Sequence, residues 1–420
     1  MAAGHVSPPG RRAFQEQGGD AVGLLPQGRH ALVCLARGGH DGAHLRCPGL
    51  RREAPGEGEV VPKAFFITGG LCDDSLCHSV LRLARELRRR GAQVGLACGG
   101  GVFAAEFAKA TITPFVAPAL AGGRCPLFLP KPLLEHIRGF GPDILHLFGR
   151  HLARWGARLS AALGLPYVLT VTGFAPHGHR GKLPGDWRRG AVMAVSEELR
   201  EELVNQARVR KDAIAVIPFG IALEDYARYQ APHARPASPV VGMVGPLVPE
   251  RGCEYFVRAA REVLDRGFAA HFLIAGDGPE RRRIRRLIRD LGVASALTVV
   301  ESFHDYRRMI AVLDVCVIPA VREGLGLDVV EAMACRRPVV ATGAGPAFTL
   351  ISDGETGLLA PKKDPVALAE KIIRLLGDPE LARRLVDAAY ARVRERYSLE
   401  ASATQLLALY DKCTAKPEAA

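Results

Sequence analysis

The sequence predicts an α/β protein built from two consecutive doubly wound parallel sheets. Three observations carry that expectation. The chain of 420 residues is too long for one ordinary domain and suits two of about 150–200 residues each. Apolar runs of strand length alternate with amphipathic helical stretches, the pattern of βαβ units. The alternation stops in a Pro- and Ala-rich stretch, residues 226–239, and then restarts.

Residues 1–59 stand apart. They are dense in Gly, Pro, Arg and His, contain no Lys, and carry one short apolar island at 31–36. The island is too short for a signal-peptide core followed by a cleavage site, so this segment reads as a disordered extension. From Val60 the register changes. Residues 60–68 form a strand that ends at Gly69-Gly70. A helix follows in which Val80, Ala84 and Leu87 share a face, Arg82, Arg85, Arg88 and Arg89 lie mostly off it, and Gly91 supplies the stop. Further strands are expected at 93–97, 144–148, 167–171, 192–195 and 214–217. Ser196, followed by Glu197 and Glu198, reads as the N-cap of a helix with acidic residues in its positive first turn. The uncharged stretch 159–176 reaches the length of a membrane span. Gly164, Pro166 and Thr170 break it into a helix end, a turn and a buried strand, and no transmembrane segment is expected.

After the linker the second series begins with a strand at 240–244. A helix over 255–266 follows, with Phe256, Ala260 and Val263 on one face and Gly267 as stop. Strands are expected at 271–275, 297–300, 315–319, 338–341 and 357–359, and residues from Pro365 onward are mostly helical. The expected domain limits are therefore 60–225, a linker at 226–239, 240–380, and C-terminal helices over 381–420 that pack back toward the first domain.

Composition narrows the class. Charged residues make up 24% and hydrophobic ones 48%, the balance of a globular chain. The net charge of +12, with Arg in excess of Lys, fits a solvated basic surface and an anionic partner equally well. The ten Cys include no C-x-x-C pair and no paired Cys/His spacing, which argues against a zinc site and for a reduced, cytoplasmic compartment.

Ligands of open parallel sheets bind beyond the carboxyl ends of the strands. The richest loop in that position follows 315–319 and reads Arg322-Glu323-Gly324-Leu325-Gly326-Leu327-Asp328-Val329-Val330-Glu331-Ala332-Met333-Ala334. Its glycines let a backbone approach a ligand closely, and the free amides of a helix start suit a diphosphate. Glu323 lies in the loop and Glu331 one turn or more into the helix. Taken alone, either Glu reads first as a solvated residue of a Gly-rich turn that caps a helix.

At this loop the sequence resembles glycosyltransferase family 4. Glu323 and Glu331 match the family's E-x7-E motif. Residues 245–252 (GPLVPERG) resemble its G-R-L-x-x-x-K-G segment, 275–280 (AGDGPE) its G-x-G-P turn, and 337–341 (RPVVA) its G-x-P-V-V-A strand. Residues 353–359 (DGETGLL) resemble its D-G-x-x-G-x-L turn and 217–221 (IPFGI) its I-P-N-G-V segment. The resemblance runs from about residue 60 to 397, with six matches in order.

It implies a GT-B fold: two doubly wound Rossmann-like domains facing a cleft, with the nucleotide-diphosphate sugar donor held mainly by the second and the acceptor by the first. It implies transfer with retention of configuration, without a bound metal or other cofactor, because cations and helix amides stabilise the leaving diphosphate. The resemblance assigns Glu323 and Arg251 to catalysis. Glu331, Gly324, Leu325, Gly326, Gly245 and the Gly69-Gly70 loop fall to donor binding, although Gly69-Gly70 reads equally as a plain turn. Thr172 marks the acceptor side, and His146 and His177 are candidates there by position. A lone His on a strand is more often a satisfied structural residue, and the loop of His177 reads first as solvated. The expected partners are a nucleotide sugar and an unidentified acceptor, with no nucleic acid. The Arg-rich first helix is the candidate for peripheral contact with an anionic membrane.

Several positions depart from the family's pattern. Pro246 stands where it has Arg, Thr172 where it often has His, and Thr349 where it often has Glu. A GT-B enzyme of another reaction type, such as a nucleotide-sugar epimerase, fits the E-G-L-G-L and A-G-D-G-P context less well. Pro246 and Thr172 favour the alternative of a degenerate GT-B protein that binds nucleotide sugar or a partner without efficient turnover.

Overall fold

The computed structural model describes residues 62–415 apart from 73–74, 123, 174–182, 186, 188, 231–237, 302–304, 323–325 and 345–346. The extension expected over 1–59 lies outside the described residues.

The first series runs β1 (Ala64–Thr68), α1 (Ser75–Arg89), β2 (Val94–Cys98), α2 (Ala104–Lys109), β3 (Phe115–Val116), α3 (Lys131–Phe140) and β4 (Ile144–Phe148). It continues through α4 (Ala153–Leu163), β5 (Tyr167–Val171), β6 (Gly190–Ala194), α5 (Glu197–Asn205) and β7 (Ile214–Val216). Its strands form one parallel seven-stranded sheet in the order β3-β2-β1-β4-β5-β6-β7. β1, β2, β4 and β5 are buried at every position, because helices cover both faces of a parallel sheet. The N-cap of α5 is as the sequence indicates: the Ser196 hydroxyl accepts from the Leu199 amide at 3.3 Å.

The second series runs β8 (Val240–Val244), α6 (Cys253–Asp265), β9 (His271–Ala275), α7 (Arg281–Asp290), β10 (Leu297–Val300), α8 (Tyr306–Ala311) and β11 (Val315–Ile318). It continues through α9 (Leu327–Ala334), β12 (Val339–Thr342), α10 (Ala347–Leu350), β13 (Leu358–Ala360) and α11 (Pro365–Gly377). These strands form a parallel six-stranded sheet in the order β10-β9-β8-β11-β12-β13. The fold is therefore two Rossmann-like domains. In each, the strand order reverses between two neighbours, β1/β4 in the first sheet and β8/β11 in the second. Such a switch point opens a crevice beyond the strand ends.

Tyr226 and Tyr229, at the start of the stretch read as linker, lie in a short 3-10 turn, Leu223–Tyr229, with both rings buried. α12 (Pro379–Arg396) packs on α9, and α13 (Leu399–Thr414) on α1. The chain returns to the first domain where Leu399 N donates to Ile221 O at 2.8 Å and Ile221 N to Tyr397 O at 2.9 Å. Gly220 permits this crossing: a Cβ there would lie 2.2 Å from the Ser398 carbonyl oxygen.

Candidate active site

At the switch point of the second sheet, Gly245 follows β8 with φ +141°, a conformation L side chains rarely adopt. The Arg251 guanidinium occupies the space beside it, with Nη2 2.9 Å from where a Cβ would stand. Gly276, after β9, packs just as closely, for its Cβ would meet the Gly245 carbonyl oxygen at 1.8 Å. Arg251 donates to Val244 O at 3.4 Å and pairs with the carboxylate of Asp328 in the first turn of α9. Asp328 also suits the positive end of that helix. Gly326, with φ +64°, turns the chain into α9. Arg251, Gly245 and the start of α9 thus converge at the carboxyl ends of β8 and β11. Glu323, Gly324 and Leu325 lie outside the described residues.

Glu331 sits one turn into α9 and is 9% exposed. Its Oε1 accepts from Tyr306 Oη at 2.6 Å and from Tyr226 Oη at 2.9 Å, and Arg82 Nη1 lies 3.9 Å away. Burial pushes the carboxyl up from its ordinary range, against the pull of Tyr306, Arg82 and Tyr226. Burial, reinforced by Glu331, pushes the Tyr306 phenol up to about 12, so it stays a donor. Burial works against the charge on Arg82, yet Tyr226, Tyr306 and Glu331 outweigh it and hold the guanidinium protonated.

Gly69 and Gly70 end β1 in the crevice of the first sheet. The loop is tight: Gly99 N donates to Gly69 O at 3.0 Å and Leu71 N to Gly100 O at 2.9 Å. The His151 ring covers Gly69, where a Cβ would meet Nε2 at 2.3 Å. Thr172, just past β5, is partly exposed. His146 corrects an expectation. It is fully buried within β4, with Nδ1 2.5 Å from Tyr410 Oη and Nε2 2.6 Å from Thr170 Oγ1. α13 closes over it, so it offers no surface to an acceptor. His177 lies outside the described residues.

Residues 78–225 match the model of the Glycosyltransferase Family 4 domain, and residues 238–378 match that of Glycosyl transferases group 1. The alpha-D-kanosaminyltransferase of Streptomyces kanamyceticus is 30% identical over 358 residues, 82% of this chain and 84% of that protein. The chain belongs to glycosyltransferase family 4. Solved structures agree on the fold. A glycosyltransferase of Rickettsia africae superposes with a TM-score of 0.71 at 19% identity, covering 84% of this chain and 99% of that one. HepE of Anabaena, solved in complex with UDP, gives 0.69 at 20% identity, covering 83% and 100%.

As a family 4 glycosyltransferase the chain carries one arrangement that its motifs do not announce, the grip of Arg82, Tyr226 and Tyr306 on Glu331. Arg82 comes from the first domain and the tyrosines from the 3-10 turn and α8. The only sequence signal for Arg82 was its place in an Arg-rich helix, where it was grouped with membrane-facing residues. Arg82 itself turns inward to Glu331, while Arg85, Arg88 and Arg89 stay exposed. Arg89 and Arg90 both bind Glu86 at 2.7 Å, and Arg88 donates to Ala110 O at 2.6 Å. Arg90 also holds α13 through Thr404 at 2.7 Å. Among the described residues no helix is long and apolar enough to cross a membrane, and no group of three His, Cys, Asp or Glu is placed to hold a metal ion.

Proposed function

We propose that this glycosyltransferase transfers a sugar from a nucleotide-diphosphate donor, with retention of configuration and without a metal, to an acceptor held by the first domain. The observation that carries the reading is the convergence of Arg251, Gly245 and the Gly326-headed start of α9 at one switch point. A diphosphate there meets a guanidinium and free helix amides, which stabilise the charge growing on the leaving oxygen. Glu323 lies against the donor sugar. Gly324, Leu325 and Gly326 line the sugar and diphosphate, and Gly69 and Gly70 approach from the first domain. Glu331 takes the ribose hydroxyls on Oε2, the oxygen that neither tyrosine engages. UDP is a reasonable first donor nucleotide, since HepE was solved with it. Thr172 is proposed for the acceptor side.

In this reading residues 60–225 are the acceptor domain, 226–239 the linker and 240–380 the donor domain. Residues 381–420 return to the first domain, and 1–59 are an extension. A cytoplasmic location belongs to the same proposal. Peripheral contact with an anionic membrane through the exposed Arg85, Arg88 and Arg89 of α1 is part of the same proposal.

The test is donor cleavage. Purified protein is incubated with UDP-, GDP-, ADP- and TDP-sugars, with and without excess chelator, and nucleotide release is followed. Release from one donor that survives chelation is expected. No release from any donor favours binding without turnover, and a chelator-sensitive reaction overturns the metal-independent mechanism.

A further inference from the structure

The crevice of the first sheet holds a cavity of about 470 Å³ lined by Arg124, Arg150, His151, Arg154, Cys125 and Pro184. It opens beside the Gly69 turn, because the His151 ring in its wall lies against the positions where Gly69 and Gly149 would carry side chains. Those two glycines end β1 and β4, the two strands of the switch point. A second hollow of about 420 Å³ shares Cys125, Arg154 and Pro184 and adds Leu127 and Ala157, so the polar recess continues into an apolar one.

Arg124 and Arg154 are exposed where they border the recess, and like charges gathered at one recess repel unless counter-charges intervene. Arg150 has one in Glu202. Arg124 and Arg154 have no carboxylate within ion-pair distance among the described residues. A concave, like-charged wall focuses its field outward and concentrates anions. The guanidinium fork matches the oxygens of phosphate and carboxylate. The wall is also prebuilt: Arg158 spends its guanidinium on the carbonyls of Pro126 and Leu127, which holds the loop that carries Arg124.

We infer that the acceptor of this enzyme carries a phosphate group, seated between Arg124 and Arg154, with its less polar part toward Leu127 and Ala157. The inference rests on the proposed division of acceptor and donor between the two domains. A soluble sugar or polyol phosphate and a lipid phosphate present the same chemistry to these residues.

The test uses the full chain and three proteins: wild type, the double variant Arg124→Ser/Arg154→Ser, and Arg251→Ala as a control for phosphate at the donor site. Each is titrated calorimetrically with glucose 6-phosphate and with glucose. Each is also sedimented with phosphatidylcholine vesicles with or without phosphatidylglycerol. Wild type should bind glucose 6-phosphate or the anionic vesicles, but neither glucose nor neutral vesicles. The double variant should lose that binding by about tenfold or more, and Arg251→Ala should keep it. Binding of the soluble probe identifies a water-soluble acceptor, and binding of the vesicles alone a lipid one. Equal binding by wild type and double variant, binding lost only in Arg251→Ala, or no binding of either anionic probe overturns the inference. Donor cleavage by the double variant is measured in parallel. Should wild type and variant both fail to cleave any donor while the anion still binds, the donor reading fails and the anion site stands.

Discussion

Arg82 on α1 and Glu331 on α9 meet at 3.9 Å, Nη1 to Oε1, although each belongs to a different sheet. The carboxylate is held from its own domain by Tyr306 and across the boundary by Arg82. One buried oxygen thus reports on both halves of the cleft.

Tyr306→Phe removes the shorter of the two hydroxyl contacts to Glu331. A hydrogen bond to a charged group is worth about 1.5–3 kcal/mol, and stability measured by denaturant should fall by that amount. If Glu331 meets the ribose in ground state and transition state alike, the donor KM should rise while kcat holds. An unchanged KM would show that the ribose lies elsewhere.

Glu323→Ala should abolish donor turnover while leaving the thermal midpoint within a degree or two. A carboxylate in a loop beside two glycines adds little to packing, and a group that acts in the transition state lowers kcat more than donor affinity. Parental turnover in this variant would remove Glu323 from the site.

His146 gives the chain a pH dependence whose sign is fixed. Burial holds its imidazole down to about 3 from an ordinary 6.5. Between these values the unfolded chain binds a proton that the folded chain does not. The contribution is therefore complete above pH 6.5 and is lost as pH falls toward 3, at up to ~1.4 kcal/mol per pH unit. His146→Gln should be less stable at neutral pH and show a shallower acid limb. Parallel limbs for the two proteins would mean that the ring titrates normally.

Pro246 is exposed beside Gly245, where the family's pattern has a second cation. Pro246→Arg would add a charge-assisted contact of about 1.5–3 kcal/mol to a diphosphate at Arg251. Donor kcat/KM should then rise by roughly 10- to 150-fold. No change in donor binding or turnover would place the diphosphate away from Arg251.

The strands that carry the site were legible because parallel strands buried on both faces read as unbroken apolar runs. β8 and β11 show this outright, and β1, β4, β5 and β9 with a single polar residue each. β3 was not, since two residues, one partly buried and one exposed, leave no pattern. α3 was missed although Pro132 near its start and Gly141 just past its end, with φ 65°, mark its limits. At the site, the motifs located Arg251, Gly245 and Glu331. Tyr226, Tyr306 and Arg82 could not be found from spacing, because 224 residues separate Arg82 from Tyr306 and only the folded chain unites them. His146 misled because a histidine on a strand reads the same whether it faces a cleft or a covering helix.

The return of the chain at Ser398 sets when the first domain can be completed. The first sheet is synthesised early, yet one of its faces is completed by α13, whose Tyr410 ring is fully buried against the imidazole of β4. As the polypeptide leaves the ribosome, the first domain keeps that face bare until the second domain has emerged and the last helix arrives. The first domain is thus completed by the last helix of the chain rather than by its own residues.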